Sequence, residues 1–175
     1  MIGNPFNQRR QVRRNIFVSY HHGGDQAYCD NLSEKMHDSL QLLTDNSLER
    51  RIDSSNHDYI MRRIREYHLH GSSCTILLCG ENTWQRKYVD WEIHASLSQQ
   101  MGLVGVLLPM LPLLANNGTE KPSRLQDNID SKYAVWISWN DIVANPVALT
   151  DAIERANLAS KRLIDNSRPR MERNL

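Results

Sequence analysis

The run Cys74-Thr75-Ile76-Leu77-Leu78-Cys79 constrains this chain most, because its side chains are apolar or small on both alternations. A strand with one wet face alternates apolar and polar residues, whereas a strand covered on both faces, as in a parallel sheet, reads as a continuous apolar run. Asn15-Ile16-Phe17-Val18-Ser19-Tyr20, Leu103-Val104-Gly105-Val106-Leu107-Leu108 and Tyr133-Ala134-Val135-Trp136-Ile137 have the same character and predict further strands. Between these runs apolar residues recur at helical spacing. Tyr28, Leu32, Met36, Leu40 and Leu43 predict a helix from about Gln26 to Leu43, after a Gly-containing loop at His21 to Asp25. Ile60, Ile64 and Tyr67 predict one from His57 to about His70, with Ser55 and Asp58 as a capping box.

Val89, Ile93, Leu97 and Met101 give a third helix, from about Tyr88 to Gln100, its buried stripe. Asn145-Pro146 then offers a cap and a first-turn proline to a fourth, whose buried face is Leu149, Ile153, Ala156 and Leu163. Leu48 to Asp53 is readable as a short edge strand. Pro109 to Ser131, with its prolines and Asn116-Asn117-Gly118, reads as a surface excursion. Alternation of this kind specifies an α/β domain of flavodoxin-like type, a parallel sheet with helices on both faces. Its expected extent is residues 14–165, after a basic lead-in over 1–13 and before a mobile tail over 166–175.

Composition narrows the function classes. A length of 175 residues suits one domain, and a formal net charge of +1 supplies no global field for nucleic acid or an anionic membrane. The clustered Arg9, Arg10, Arg13 and Arg14 read as a solvated lead-in. Three cysteines, Cys29, Cys74 and Cys79, without C-x-x-C spacing, indicate neither a disulfide framework nor a zinc knuckle, and suit a reducing cytoplasm. The longest apolar stretch, Leu103 to Ala115, is broken by Gly105, Pro109 and Pro112, so no membrane span is expected. Seven histidines form no H-E-x-x-H or comparable ligand set, and Gly23-Gly24 lacks the rest of a dinucleotide or P-loop fingerprint.

One carboxylate stands out. Glu92 follows the Cys74–Cys79 strand closely and lies in the first part of the next helix, which places it beyond the C-terminal sheet edge where open α/β folds bind ligands. From spacing alone, an ordinary early-helix glutamate favoured by the helix dipole is the preferred reading. Trp84 and Trp91 flank it, and could stack a planar ring or cover the sheet end. Cys79 ends an apolar strand, where burial raises a thiol's pKa, so it reads as structural.

Ile16-Phe17-Val18-Ser19-Tyr20 resembles the opening strand of a TIR (Toll/interleukin-1 receptor) domain, and Lys87-Tyr88-Val89-Asp90-Trp91-Glu92-Ile93-His94-Ala95 is similar to the segment carrying the catalytic glutamate of NAD-cleaving TIR domains. With Asp58-Tyr59-Ile60 through Arg65, Ser72-Ser73 and Gly80-Glu81-Asn82-Thr83, the pattern over about residues 14 to 108 resembles the bacterial TIR-like family that includes the TIR protein of the Thoeris anti-phage system. That resemblance implies Glu92 as the catalytic residue, with Ser19, Tyr20, Asn82 and Trp84 lining the pocket. It implies NAD as substrate with no permanent cofactor, a cyclic or modified ADP-ribose product, an effector reached through that diffusible signal, a phage-derived trigger and an oligomeric active form. The stretch around Arg50-Arg51-Ile52-Asp53 has no clear form of the proline-containing loop of receptor TIR domains. Two rival classes remain open at this level. One is a TIR-like or receiver-like module that binds without catalysis, the other a relative of nucleoside deoxyribosyltransferases, which also set a glutamate at a sheet end.

Overall fold

In the computed structural model, which describes residues 14–44, 56–109 and 119–175, five parallel strands form one sheet in the order β2-β1-β3-β4-β5. The strands are β1 (Arg14–Ser19), β2 (Leu40–Thr44), β3 (Cys74–Cys79), β4 (Gly102–Leu107) and β5 (Val135–Ser138). β3 is buried at all six positions, as its unbroken apolar run requires. The order reverses between β1 and β3, so the ends of these two strands form the topological switch point, where this architecture opens a crevice.

Side-chain alternation sends Ile16, Val18, Cys74, Ile76 and Leu78 to one face, under helices α1 (His22–Met36) and α6 (Val147–Leu158). Phe17, Leu77 and Cys79 face the other way, under α2 (His57–Arg63), α3 (Lys87–Ser98) and α4 (Ser123–Asp130). Helices cover both faces, as expected. No helix among the described residues is long and apolar enough to cross a membrane.

Several elements differ from the sequence expectation, each for a local reason. The first helix starts at His22, so the supposed glycine loop is its first turn, and it ends at Met36. Leu40 and Leu43, which continue the helical spacing, instead belong to β2, paired in parallel with β1 from Arg14↔Leu40 to Val18↔Thr44. Five residues are too few for periodicity to separate the two states, and the unpaired edge of β1 decides between them. The expected edge strand at Leu48 to Asp53, the lead-in over 1–13 and the Ser55 cap lie outside the described residues; Asn56 caps α2, accepting from the Tyr59 amide at 3.1 Å.

After Arg63 the helix widens into a π-turn over Ile64–His68, with the Leu69 amide bonded to the Ile64 carbonyl at 3.0 Å. That i to i+5 step moves the buried stripe from Ile64 to Leu69 and turns Tyr67 out to solvent, under the Arg63 guanidinium. Part of the supposed excursion, residues 110–118, lies outside the described residues, but α4 falls within it and buries Leu125, Arg124 and Asn128. Two of those three are polar, so no apolar stripe announced the helix. A short helix α5 (Trp139–Ala144), closed by a Ser138/Asp141 capping box, fills the gap before α6. Leu163 lies past the end of α6, in a 3-10 turn, and is 39% exposed.

Candidate functional site

Ser19 ends β1 and belongs to the same alternation as Phe17, so its hydroxyl emerges under the first turns of α3. There it donates a hydrogen bond to Oε2 of Glu92. Both residues are buried, Ser19 at 1% and Glu92 at 6% exposure. The carboxylate is held in place by three anchors of α3. Val89, Ile93 and Leu97 pack on Leu77, Cys79 and Leu103; Trp91 and Ala95 pack with Phe17, Ile60 and Met61. Between them Ser96 Oγ bonds both the Glu92 carbonyl at 2.8 Å and Thr75 Oγ1 of β3 at 2.7 Å, which fixes the turn after Glu92 to the sheet. An unpaired hydroxyl there would be costly, and the pairing satisfies both groups.

The other residues expected in the pocket divide. Tyr20, one residue past Ser19, follows the opposite alternation into the α1 core, where its hydroxyl donates to Gln26 Oε1 at 2.9 Å and its ring lies 4.3 Å from that of His22. Between β3 and α3, Asn82 is exposed at the N-cap of the turn Thr83–Gln85, and Trp84, within that turn, is half-buried. Trp91, expected to stack a planar ring or cover the sheet end, is 1% exposed, and its indole donates to the Met171 carbonyl at 2.7 Å. Its face of α3 has its own core under α2, which a single-stripe reading of the helix misses. Cys79 and Cys74 are free and fully buried; burial raises both thiols, Cys74 to about 12, in keeping with structural roles.

A second buried carboxylate escaped the sequence reading. Asp25, in the first turn of α1, is 7% exposed and accepts from Thr83 Oγ1 at 3.1 Å, while Thr83 Oγ1 takes the Gly80 amide at 2.9 Å. Burial pushes its carboxyl above the ordinary carboxylate value, opposed by the Thr83 bond and by His21. This cluster ties the start of α1 to the end of β3 across the switch point. Beside it, Arg86 Nη2 lies 3.1 Å from His21 Nε2. The available signal was Gly80 itself, since a glycine directly after a buried strand often marks a close approach. A Cβ at Gly80 would collide with the Asp25 carboxylate. Gly80→Ala is therefore expected to destabilise the fold by roughly 1–3 kcal/mol as overpacking, measured by urea unfolding; an unchanged midpoint would show that Asp25 can swing away.

The model of the family described as Thoeris protein ThsB, TIR-like domain, matches residues 17–112, more than half of the chain. The chain belongs to this family. The matched span starts in β1, runs through α3 with Glu92 and ends beyond β4, so it contains both Ser19 and Glu92. Among solved structures, the chain is similar to the TIR domains in the structure of the activated Roq1 resistosome directly recognizing the pathogen effector XopQ, at 14% identity and a TM-score of 0.41, covering 86% of this chain and 83% of that one. No curated protein matches. This ThsB-family TIR-like domain is built on a five-stranded parallel sheet in the order 2-1-3-4-5, an α/β architecture. Among its described residues no group of three or more His, Cys, Asp or Glu side chains is placed to hold a metal ion.

Proposed function

We propose that this ThsB-family protein cleaves the bond between nicotinamide and ribose in NAD, with Glu92 as the catalytic carboxylate, and releases a cyclic or otherwise modified ADP-ribose that signals to a separate effector. The observation that carries this reading is the buried Ser19–Glu92 hydrogen bond at the switch point of the sheet. As the C–N bond breaks, its electron pair leaves with nicotinamide as a neutral pyridine, and positive charge develops at the anomeric carbon and ring oxygen. The leaving group needs no proton, so one carboxylate suffices to stabilise the oxocarbenium-like state or hold the ribose hydroxyls.

The carbon is then captured by water, by an adenine nitrogen or by a ribose hydroxyl of the same molecule, the attacking group losing a proton where it carries one. A dry site favours the internal nucleophile. Glu92 is only 6% exposed in the single chain, which suits a site that opens on a phage-derived trigger and in an oligomeric active form. Tyr20, packed on the α1 side, has a structural part in this scheme, whereas Asn82 and Trp84 stand on the α3 entry turn where they can border the nucleotide.

The test is mass spectrometry of nucleotides from cells producing the wild-type chain or Glu92→Gln, with and without phage. NAD loss and a new ADP-ribose isomer or conjugate are expected in wild type alone. Unchanged pools in a folded, infection-protective wild type would instead identify a non-catalytic binding module, and transfer of deoxyribose between free bases would identify the deoxyribosyltransferase class.

A further inference from the structure

Helix α3 has no local cap. Arg86, at its N-cap, makes no side-chain capping bond. The first amide, Lys87 N, is instead taken by Asn174 Oδ1 at 2.9 Å, and the Leu175 amide bonds the Gln85 carbonyl at 3.1 Å. Residues 166–175, expected as a mobile tail beyond the domain, run with Asp165 along the outside of this helix start. The Met171 amide donates to Asp90 Oδ2 at 2.9 Å and the Met171 carbonyl accepts from the Trp91 indole. Arg124, wholly buried on α4, joins both sides. Its Nε and Nη2 reach Asp90 at 2.9 and 3.3 Å, Nη1 reaches Asn166 Oδ1 at 2.8 Å and Nη2 the Pro169 carbonyl at 3.0 Å.

Asp90 and Glu92 are two residues apart, about 200° around a helix, and so lie on nearly opposite sides of α3. One side presents Glu92 to Ser19, the other is gripped by Arg124 and the 165–175 segment. Polar groups buried this completely resist rotation of the helix, because any turn that breaks one bond leaves a desolvated charge or amide.

We propose that residues 165–175 form a strap that sets the orientation of Glu92, with Arg124 and Asn174 as its positioning residues. The proposal rests on Glu92 as the reacting carboxylate, yet its geometry is testable without that reading. Asn174 is exposed, so Asn174→Ala removes the cap without opening the core. Loss of an N-cap corresponds to roughly a 2- to 30-fold change in helix-end opening. Amide exchange over Lys87 to Asp90 should accelerate within that range, with α6 unaffected. The Glu92 Cδ resonance should shift, and kcat for NAD should fall several-fold at unchanged KM.

Asn174→Asp, which keeps the acceptor and adds a charge favoured at a helix start, should restore all three. Arg124→Lys, which keeps the charge but loses the fork that grips Asp90 and the strap together, should reproduce the alanine signature. Unaltered exchange at the start of α3, or faster exchange with an unmoved Glu92 resonance, would overturn the proposal. If wild type consumes no NAD, the proposed reaction fails, and the exchange and Glu92 resonance still decide the strap.

Discussion

Asp90→Ala is expected to be among the most damaging single substitutions in this domain, costing about 3–5 kcal/mol, because it strands a buried guanidinium. The Arg124 side chain is 0% exposed and that of Asp90 4%, and the pair meets through two nitrogens of the fork. Removing the carboxylate leaves Arg124 with Asn166 and the Pro169 carbonyl, which are neutral acceptors, and also frees the Met171 amide. With a urea slope of about 1–3 kcal/mol/M, the unfolding midpoint should drop by at least ~1 M. The double variant Asp90→Leu with Arg124→Met separates the cost of a stranded charge from the worth of the pair. Apolar replacements of a buried pair are often neutral or better, so much of the loss should return. A loss below about 1 kcal/mol in Asp90→Ala, the range of solvent-exposed pairs, would show that water reaches Arg124.

This same pair marks the boundary of what the sequence discloses. Strands β1, β3 and β4 were legible because burial on both faces leaves unbroken apolar runs, and α3 because Val89, Ile93 and Leu97 repeat at helical spacing. The position of Glu92 followed from those two signals, as strand and helix together place it at the sheet end. Helix α4 and the strap were not legible, because their packing is carried by Arg124, Asn128, Asn166 and backbone groups that look like surface chemistry in one dimension. Asn128 shows the pattern well: its amide bonds the Arg124 and Asp165 carbonyls, and its Oδ1 accepts the Asp165 amide at 3.0 Å. A composition rule that sends charged and amide residues outward reads such a network backwards. The stripe Val89, Ile93, Leu97 and Met101 leaves out Trp91 for a related reason, since α3 is buried along two adjoining stripes and its second core, around Phe17 and Met61, comes from elements distant in sequence.

The reaction proposed for Glu92 gives the second large effect, and Ser19 makes it interpretable. Glu92→Gln keeps the side-chain shape but removes the charge that opposes the developing cation, so turnover of NAD should fall by about 10²–10³-fold, the usual loss for one aimed electrostatic group. Ser19→Ala leaves the carboxylate in place and removes the Ser19 hydroxyl that donates to it. A hydrogen bond to a charged group contributes about 1.5–3 kcal/mol, which would lower turnover by roughly 10- to 100-fold if the bond mainly orients Glu92 for the transition state. Because Ser19 then acts only through Glu92, the double variant should be no slower than Glu92→Gln alone. Independent contributions would instead multiply, and that result would give Ser19 its own contact with the nucleotide. Single-turnover rates at saturating NAD are the measurement of choice, since they isolate the chemical step from binding and product release. Full turnover in Glu92→Gln would remove the carboxylate from the mechanism and, with it, the catalytic meaning of the Ser19 bond.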